Sequence, residues 1–274
     1  MDRSAGNRSG QRISVCGKGG SGKSTIVALL ANELARKGHR LIVLDSDESN
    51  ACLHWMLGFD EPPHPLLELV GGKKNVQRQM RQTYSDGEQS QMSVLAQPQF
   101  AVRDLPPEYV AKKDGKALIA VGKIHQALEG CACPMGVLSR EFLKKLQLAD
   151  GEVLLVDMEA GIEHFGRGVE TSIDAVVVVV EPSLESVTLA EKIKQLASEA
   201  GARFAGAILN KVSSPEVKDT LTGKLQDAGV SVLGEVGYHE ELFSASLAGE
   251  PIPPVGDQTR DIVADLLHLE PAAR

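Results

Sequence analysis

A doubly wound α/β fold, with a mostly parallel sheet and helices on both faces, is predicted for this chain of 274 residues by three observations. Strand-like and helix-like runs alternate from Gln11 onward, as parallel strands joined by crossover helices require. The six-residue apolar run Ala175–Val180 (AVVVVV) is continuous rather than alternating and rich in β-branched residues, which marks a parallel strand buried on both faces. Acidic and amide residues recur just after the strands, where open α/β sheets bind ligands. A hydrophobic content of 42% is enough for one large core or two smaller ones, and a single domain over residues 12–274 is expected.

Residues 1–11 (MDRSAGNRSGQ) are polar and rich in glycine and serine, and a disordered tail is expected there. Arg12–Cys16 (RISVC) is the first strand, and Thr25–Lys37 (TIVALLANELARK) is the first helix, ended by Gly38. Leu41–Leu44 is a strand running into Asp45-Ser46-Asp47, followed by a helix over Ala51–Leu57. From Pro62 to Pro107 the chain is punctuated by proline and rich in glutamine, with one strand expected at Met92–Ala96. The region around residues 60–135 is read as an insertion packed on the main sheet. Val153–Val156 is a strand ending in Asp157, and Ala175–Val180 leads through Glu181-Pro182-Ser183 into a helix over Leu184–Ala200. Phe204–Leu209 is a strand ending at Asn210-Lys211, Val230–Val236 is the last strand, and Asp261–Leu269 closes the chain as a helix.

Between the first strand and the first helix lies GKGGSGKST, Gly17–Thr25, which fits the phosphate-loop pattern G-x-x-x-x-G-K-[ST]. Backbone N–H groups of Gly17, Lys18, Gly19, Gly20, Ser21, Gly22 and Thr25 would close around phosphate oxygens at a helix N-terminus. Lys23 would neutralise the β/γ charge, and the Ser24 hydroxyl would face Mg²⁺. Lys18 is then a second lysine, with its own phosphate duty already taken by Lys23.

The chain carries 29 basic and 37 acidic residues, a net charge of −8. That balance weighs against nucleic acid as a partner. No apolar run reaches the roughly 18 residues of a spanning helix, and the C-terminal helix lacks the basic face of a membrane-lying one. A cytoplasmic location is expected, and in a reducing compartment paired cysteines suggest metal or redox chemistry. Of the four cysteines, Cys131 and Cys133 stand in Cys131-Ala132-Cys133-Pro134. Both thiolates of such a pair can reach one soft ion, Ni²⁺ or Zn²⁺. Two ligands leave a site incomplete; two chains on a two-fold axis would supply four. A strained disulfide and two ordinary thiols are the alternatives. Cys16 and Cys52 read as buried thiols without a ligand role, and neither His125 nor His164 is assigned one.

The GKGG-x-GK[ST] form resembles the deviant phosphate loop of the MinD, ParA and nitrogenase iron protein family. That resemblance implies an ATPase in which Lys18 crosses a homodimer interface to the partner's phosphates. It also implies that Asp47 polarises the attacking water, Asp45 gives support near Mg²⁺, and Asp157, opening Asp157-Met158-Glu159-Ala160-Gly161, holds a Mg²⁺-bound water. Asn210 and Lys211 would read the adenine edge, with backbone contacts from Gly234, Val236 and Tyr238. Together with Ile162-Glu163-His164, Glu181-Pro182-Ser183, Asn210-Lys211-Val212 and the Cys-x-Cys, these motifs resemble the CooC-type accessory ATPases, which insert nickel into carbon monoxide dehydrogenase. The resemblance implies a nickel-dependent client, carbon monoxide dehydrogenase or acetyl-CoA synthase, and the two-fold arrangement of the cysteines would give one metal ion shared per dimer. An Fe–S carrier and a MinD- or ParA-like positioning ATPase are the other readings of the same motifs.

Overall fold

Strand β1 (Gln11–Gly17) divides its side chains between two cores: Ile13 and Val15 enter one layer and Cys16 the other. In the computed structural model, which describes residues 10–85, 95–123, 133–166 and 168–268, this strand lies inside an eight-stranded sheet. It is followed by α1 (Lys23–Arg36), β2 (Arg40–Asp45), α2 (Leu53–Met56), α3 (Leu66–Leu69), α4 (Gly72–Ser85), β3 (Ala111–Lys113) and β4 (Lys116–Ala120). Then come α5 (Cys133–Lys145), β5 (Glu152–Asp157), α6 (Glu163–Gly166), β6 (Ala175–Val180), α7 (Leu184–Glu199), β7 (Arg203–Val212), α8 (Pro215–Asp227), β8 (Val232–Gly237), α9 (Glu240–Ala248) and α10 (Gln258–His268).

The strand order is β3-β4-β2-β5-β1-β6-β7-β8, with every pair parallel except β3 with β4. One core layer joins Ile26, Leu30 and Leu34 of α1 to Ile262, Val263 and Leu266 of α10 over Val177 and Val179. The opposite layer joins Leu138 and Phe142 of α5 to Val187 and Ile193 of α7 over Val176, Val178 and Val180. The run AVVVVV is therefore apolar at every position because both of its faces are covered. Ser183 caps α7 by accepting from Ser186 N at 3.2 Å, and Ser214 caps α8, with Pro215 in its first turn.

The predicted doubly wound α/β fold is thus the one observed, with boundaries moved by a few residues. Gln11, read as tail, already pairs with Val153 in the sheet. The helix expected over Ala51–Leu57 is confined to Leu53–Met56, and Cys52 before it is exposed rather than buried. The region read as an insertion supplies β3 and β4, which extend the main sheet beyond β2. Of the strand expected at Met92–Ala96, residues 92–94 lie outside the described residues, and residues 95–99 form bends. Among the described residues, no helix is long and apolar enough to cross a membrane.

Candidate functional site

The phosphate loop is built where β1 stops and α1 starts. Gly17 has φ 148°, and a Cβ there would stand 2.7 Å from the Val179 carbonyl, so the chain can leave the sheet only as glycine. Gly22 is the left-handed N-cap of α1, and a Cβ on it would meet the Asn210 amide nitrogen at 2.2 Å. Ser21 N donates to the Lys18 carbonyl at 3.2 Å, and Lys23 Nζ donates to the same oxygen at 3.4 Å, which closes the loop on itself. Lys23 and Ser24 are buried. A cavity of about 470 Å³ opens beside them. Its phosphate-loop side is Gly19, Gly20, Gly22, Lys23, Ser24 and Thr25.

Three carboxylates converge on this end of the sheet. Asp45 and Asp157 end neighbouring parallel strands in register, β2 and β5. Ser24 Oγ donates to Asp157 Oδ2 at 2.6 Å, and Asn50 Nδ2 donates to Ser24 Oγ at 2.6 Å. Asp47 lines the cavity and accepts from Ser49 N at 2.9 Å and Ser49 Oγ at 2.6 Å. Asp45 does not line it: both of its oxygens accept from Lys123 Nζ, at 2.8 and 2.7 Å. Neither Lys123 nor Asn50 carries a motif that sequence reading could have singled out.

Burial pushes the Asp157 carboxyl up to about 7, helped by the Asp45 charge and opposed by the Ser24 hydrogen bond. Burial also raises Asp45, to about 6, against the pull of Lys123. Asp157 Oδ1 is buried and has no hydrogen-bond partner among the described residues. A buried carboxylate oxygen left open beside a serine hydroxyl is a fitting donor set for a hard divalent cation such as Mg²⁺.

The two raised values carry a pH prediction. Folded, these groups bind protons more tightly than an unfolded Asp near pH 3.9, so their stabilising effect is full below about pH 4. It is lost as pH rises through about 6 and about 7. Thermal unfolding of the nucleotide-free protein should show stability falling between about pH 4 and about pH 7 by a few kcal/mol. Mg²⁺ should restore stability at the upper end and do little at the lower. A melting temperature that rises over this interval without Mg²⁺ would contradict the assignment.

On the far side the cavity is walled by Asn210, Lys211, Gly237, Tyr238 and His239, with Met56 of α2 and Leu242, Phe243 and Ser246 of α9. Asn210 Nδ2 donates to the Ser21 carbonyl at 2.7 Å and so braces the phosphate loop. Lys211 takes a left-handed φ of 60° at a break in the β7/β8 register, and its Nζ donates to the Gly20 carbonyl. Such a conformation in a non-glycine residue is held by its surroundings and recurs at functional sites. Two expected residues lie elsewhere. Gly234 packs under Ile262 of α10, where a Cβ would come within 2.6 Å, and Val236 is buried in the core. The apolar surface that replaces them comes from α9, an element with no recognisable motif.

Lys18 points away from the loop and is partly exposed, held by two carboxylates. Its Nζ pairs with Glu181 Oε1 at 3.2 Å and Glu185 Oε2 at 2.9 Å, and these hydrogen bonds, Glu185 first, raise its pKa. Lys211 pairs with the other oxygen of Glu181 at 3.5 Å. The segment after Asp157 is pinned to the same place: Gly161 N donates to the Gly17 carbonyl at 3.2 Å, and His164 Nε2 lies 3.5 Å from the buried Cys16 sulfur.

Cys133 is the first residue of α5 and is partly exposed. Cys131 and His125 lie outside the described residues. Among the described residues no three His, Cys, Asp or Glu side chains are grouped so as to hold a metal ion.

A family model described as the CobQ/CobB/MinD/ParA nucleotide binding domain matches residues 13–252. An uncharacterized ATP-binding protein of Methanocaldococcus jannaschii is 42% identical over 252 residues, 92% of this chain and 98% of that protein. The carbon monoxide dehydrogenase accessory protein CooC of Rhodospirillum rubrum is 32% identical over 261 residues, 94% of this chain and 96% of CooC. Among solved structures, the cell division ATPase MinD of Pyrococcus furiosus matches with a TM-score of 0.66 at 20% identity. The match covers 95% of this chain and 100% of that one, and it speaks for the fold. With its phosphate loop, sheet order and matched length in agreement, this chain belongs to the CobQ/CobB/MinD/ParA family of nucleotide-binding proteins.

Proposed function

We propose that this protein is an ATPase that works as a homodimer and uses the nucleotide cycle to handle one metal ion, Ni²⁺ or Zn²⁺, held by Cys131 and Cys133 of both chains. The observation that carries the reading is the division of labour between two lysines. Lys23 is folded into its own phosphate loop, while Lys18 reaches out of it onto the exposed Glu185 and the half-buried Glu181. A lysine serving its own nucleotide would have no reason to leave the loop.

In this reading ATP enters the cavity with its phosphates on Gly19–Thr25 and its base against Tyr238, Leu242 and Phe243. Mg²⁺, when bound, neutralises charge on the β- and γ-phosphates. Ser24 and Asp157 are the residues that would hold it. Asp47, fixed by Ser49 at the cavity wall, orients the attacking water. Lys18 leaves Glu181 and Glu185 for the partner's phosphates; exposed ion pairs of this kind are weak and screened by salt, so they yield to a polyanion. Loss of the γ-phosphate frees the loops after Asp45 and Asp157 and loosens the dimer.

The likeness to the CooC of Rhodospirillum rubrum supports a client of the carbon monoxide dehydrogenase class and nickel as cargo. Sedimentation with a non-hydrolysable ATP analogue and Ni²⁺ tests the whole reading. A dimer carrying one ion per two chains is expected; monomers that each hold their own ion would overturn it.

A further inference from the structure

Lys123 follows β4, in a region where no motif marked it, yet its ammonium is the hub of the loop after β2. Both Asp45 oxygens accept from it, at 2.8 and 2.7 Å, and so do the carbonyls of Asp47 and Asn50. The lysine side chain is 14% exposed and the Asp45 side chain 7%. All three protons of the ammonium are therefore spent on one six-residue loop. That loop delivers Asp47 to the cavity and Asn50 to Ser24, whose hydroxyl in turn donates to Asp157. Buried backbone carbonyls require a donor, and here the lysine supplies it to two of them, which fixes the loop's curvature.

We propose that Lys123 is the positioning residue of the hydrolytic site: it holds the Asp45–Asn50 loop in the shape that sets Asp47 and Asn50 against the phosphate loop. The proposal rests on the ATPase reading for its kinetic consequence, and on geometry alone for its structural one. Lys123 does not itself line the cavity and acts on it only through Asp47 and Asn50, so nucleotide binding by Gly19–Thr25 does not depend on it.

The test uses the full chain, with Lys123→Met and with Lys123→Met/Asp45→Asn. The double variant leaves no unpaired buried charge and guards against simple misfolding. Lys123→Met should lower kcat for ATP hydrolysis roughly 10–100-fold, the cost of an ångström-scale misplacement, with KM changed by less than about threefold. Hydrogen exchange without nucleotide should quicken at the amides of residues 46–51 in both variants and stay unchanged at Gly17–Thr25. Wild-type kcat, or wild-type exchange in the loop, would overturn the proposal. So would KM rising in step with falling kcat, or exchange quickening throughout the sheet, because either would mean a general role in the fold. If the wild type hydrolyses no ATP, the ATPase reading fails, while the exchange measurement still decides whether Lys123 shapes the loop.

Discussion

Lys18→Ala is expected to lower kcat for ATP hydrolysis by about 10³-fold or more, the range that a cation supplied across an interface contributes to phosphoryl transfer. ATP should still bind, because Lys23 stays in its own loop and donates to the Lys18 carbonyl, a backbone atom that alanine retains. The same variant should remain monomeric with a non-hydrolysable ATP analogue, since the charge that draws a second chain onto the triphosphate is gone. Steady-state hydrolysis, calorimetric titration and sedimentation separate these three effects. A Lys18→Ala protein that hydrolyses ATP at the native rate would show that the Glu181 and Glu185 contacts are the only business of this lysine. One that no longer binds ATP would place Lys18 in its own chain's pocket.

Replacing Cys131 and Cys133 together by serine should abolish Ni²⁺ and Zn²⁺ binding and leave ATP binding intact. A tetrathiolate site requires four sulfurs, and one chain brings two to this motif. The remaining cysteines are poor substitutes: Cys16 is buried in β1 beside His164, and Cys52 sits exposed beyond the Asp45–Asn50 loop. Symmetry sharpens the expectation, because a single Cys133→Ser change removes two of the four sulfurs at once and should already cost most of the affinity. Metal analysis of the dimer decides it. Retention of one ion per two chains by the double variant would rule out the cysteine pair, and a brown chromophore on reconstitution with iron and sulfide would point to an Fe–S cluster instead.

What could be read from the residues, and what could not, differs in kind. The phosphate loop was legible because strand, glycines and helix N-terminus are consecutive, so its geometry is a local property of Gly17–Thr25. Asp45, Asp47, Asp157 and Asn210 were legible for the same reason, as residues at the ends of apolar runs. Strands β3 and β4 were not. Lys116, the first residue of β4, is charged yet buried, bonded to Asn32 and the Leu57 carbonyl, and it leaves only the four apolar residues Ala117–Ala120 to mark the strand. Gly234 and Val236 do not line the cavity, because α10 packs over their part of β8, and that packing is not recorded in the neighbouring residues.

The doubly wound fold, the phosphate loop and the acids that crown the sheet can be read from the residues alone, since each follows from neighbours along the chain. Folding in three dimensions is what brings Lys123 onto the loop carrying Asp47, Ser46 to within 2.9 Å of Ser139 of α5, and Lys18 onto Glu181 and Glu185. These contacts join residues far apart in sequence, 163 positions in the case of Lys18 and Glu181. A side chain's partner at that separation is set by which strand ends the sheet order brings together, and no local pattern of charge or hydropathy records it.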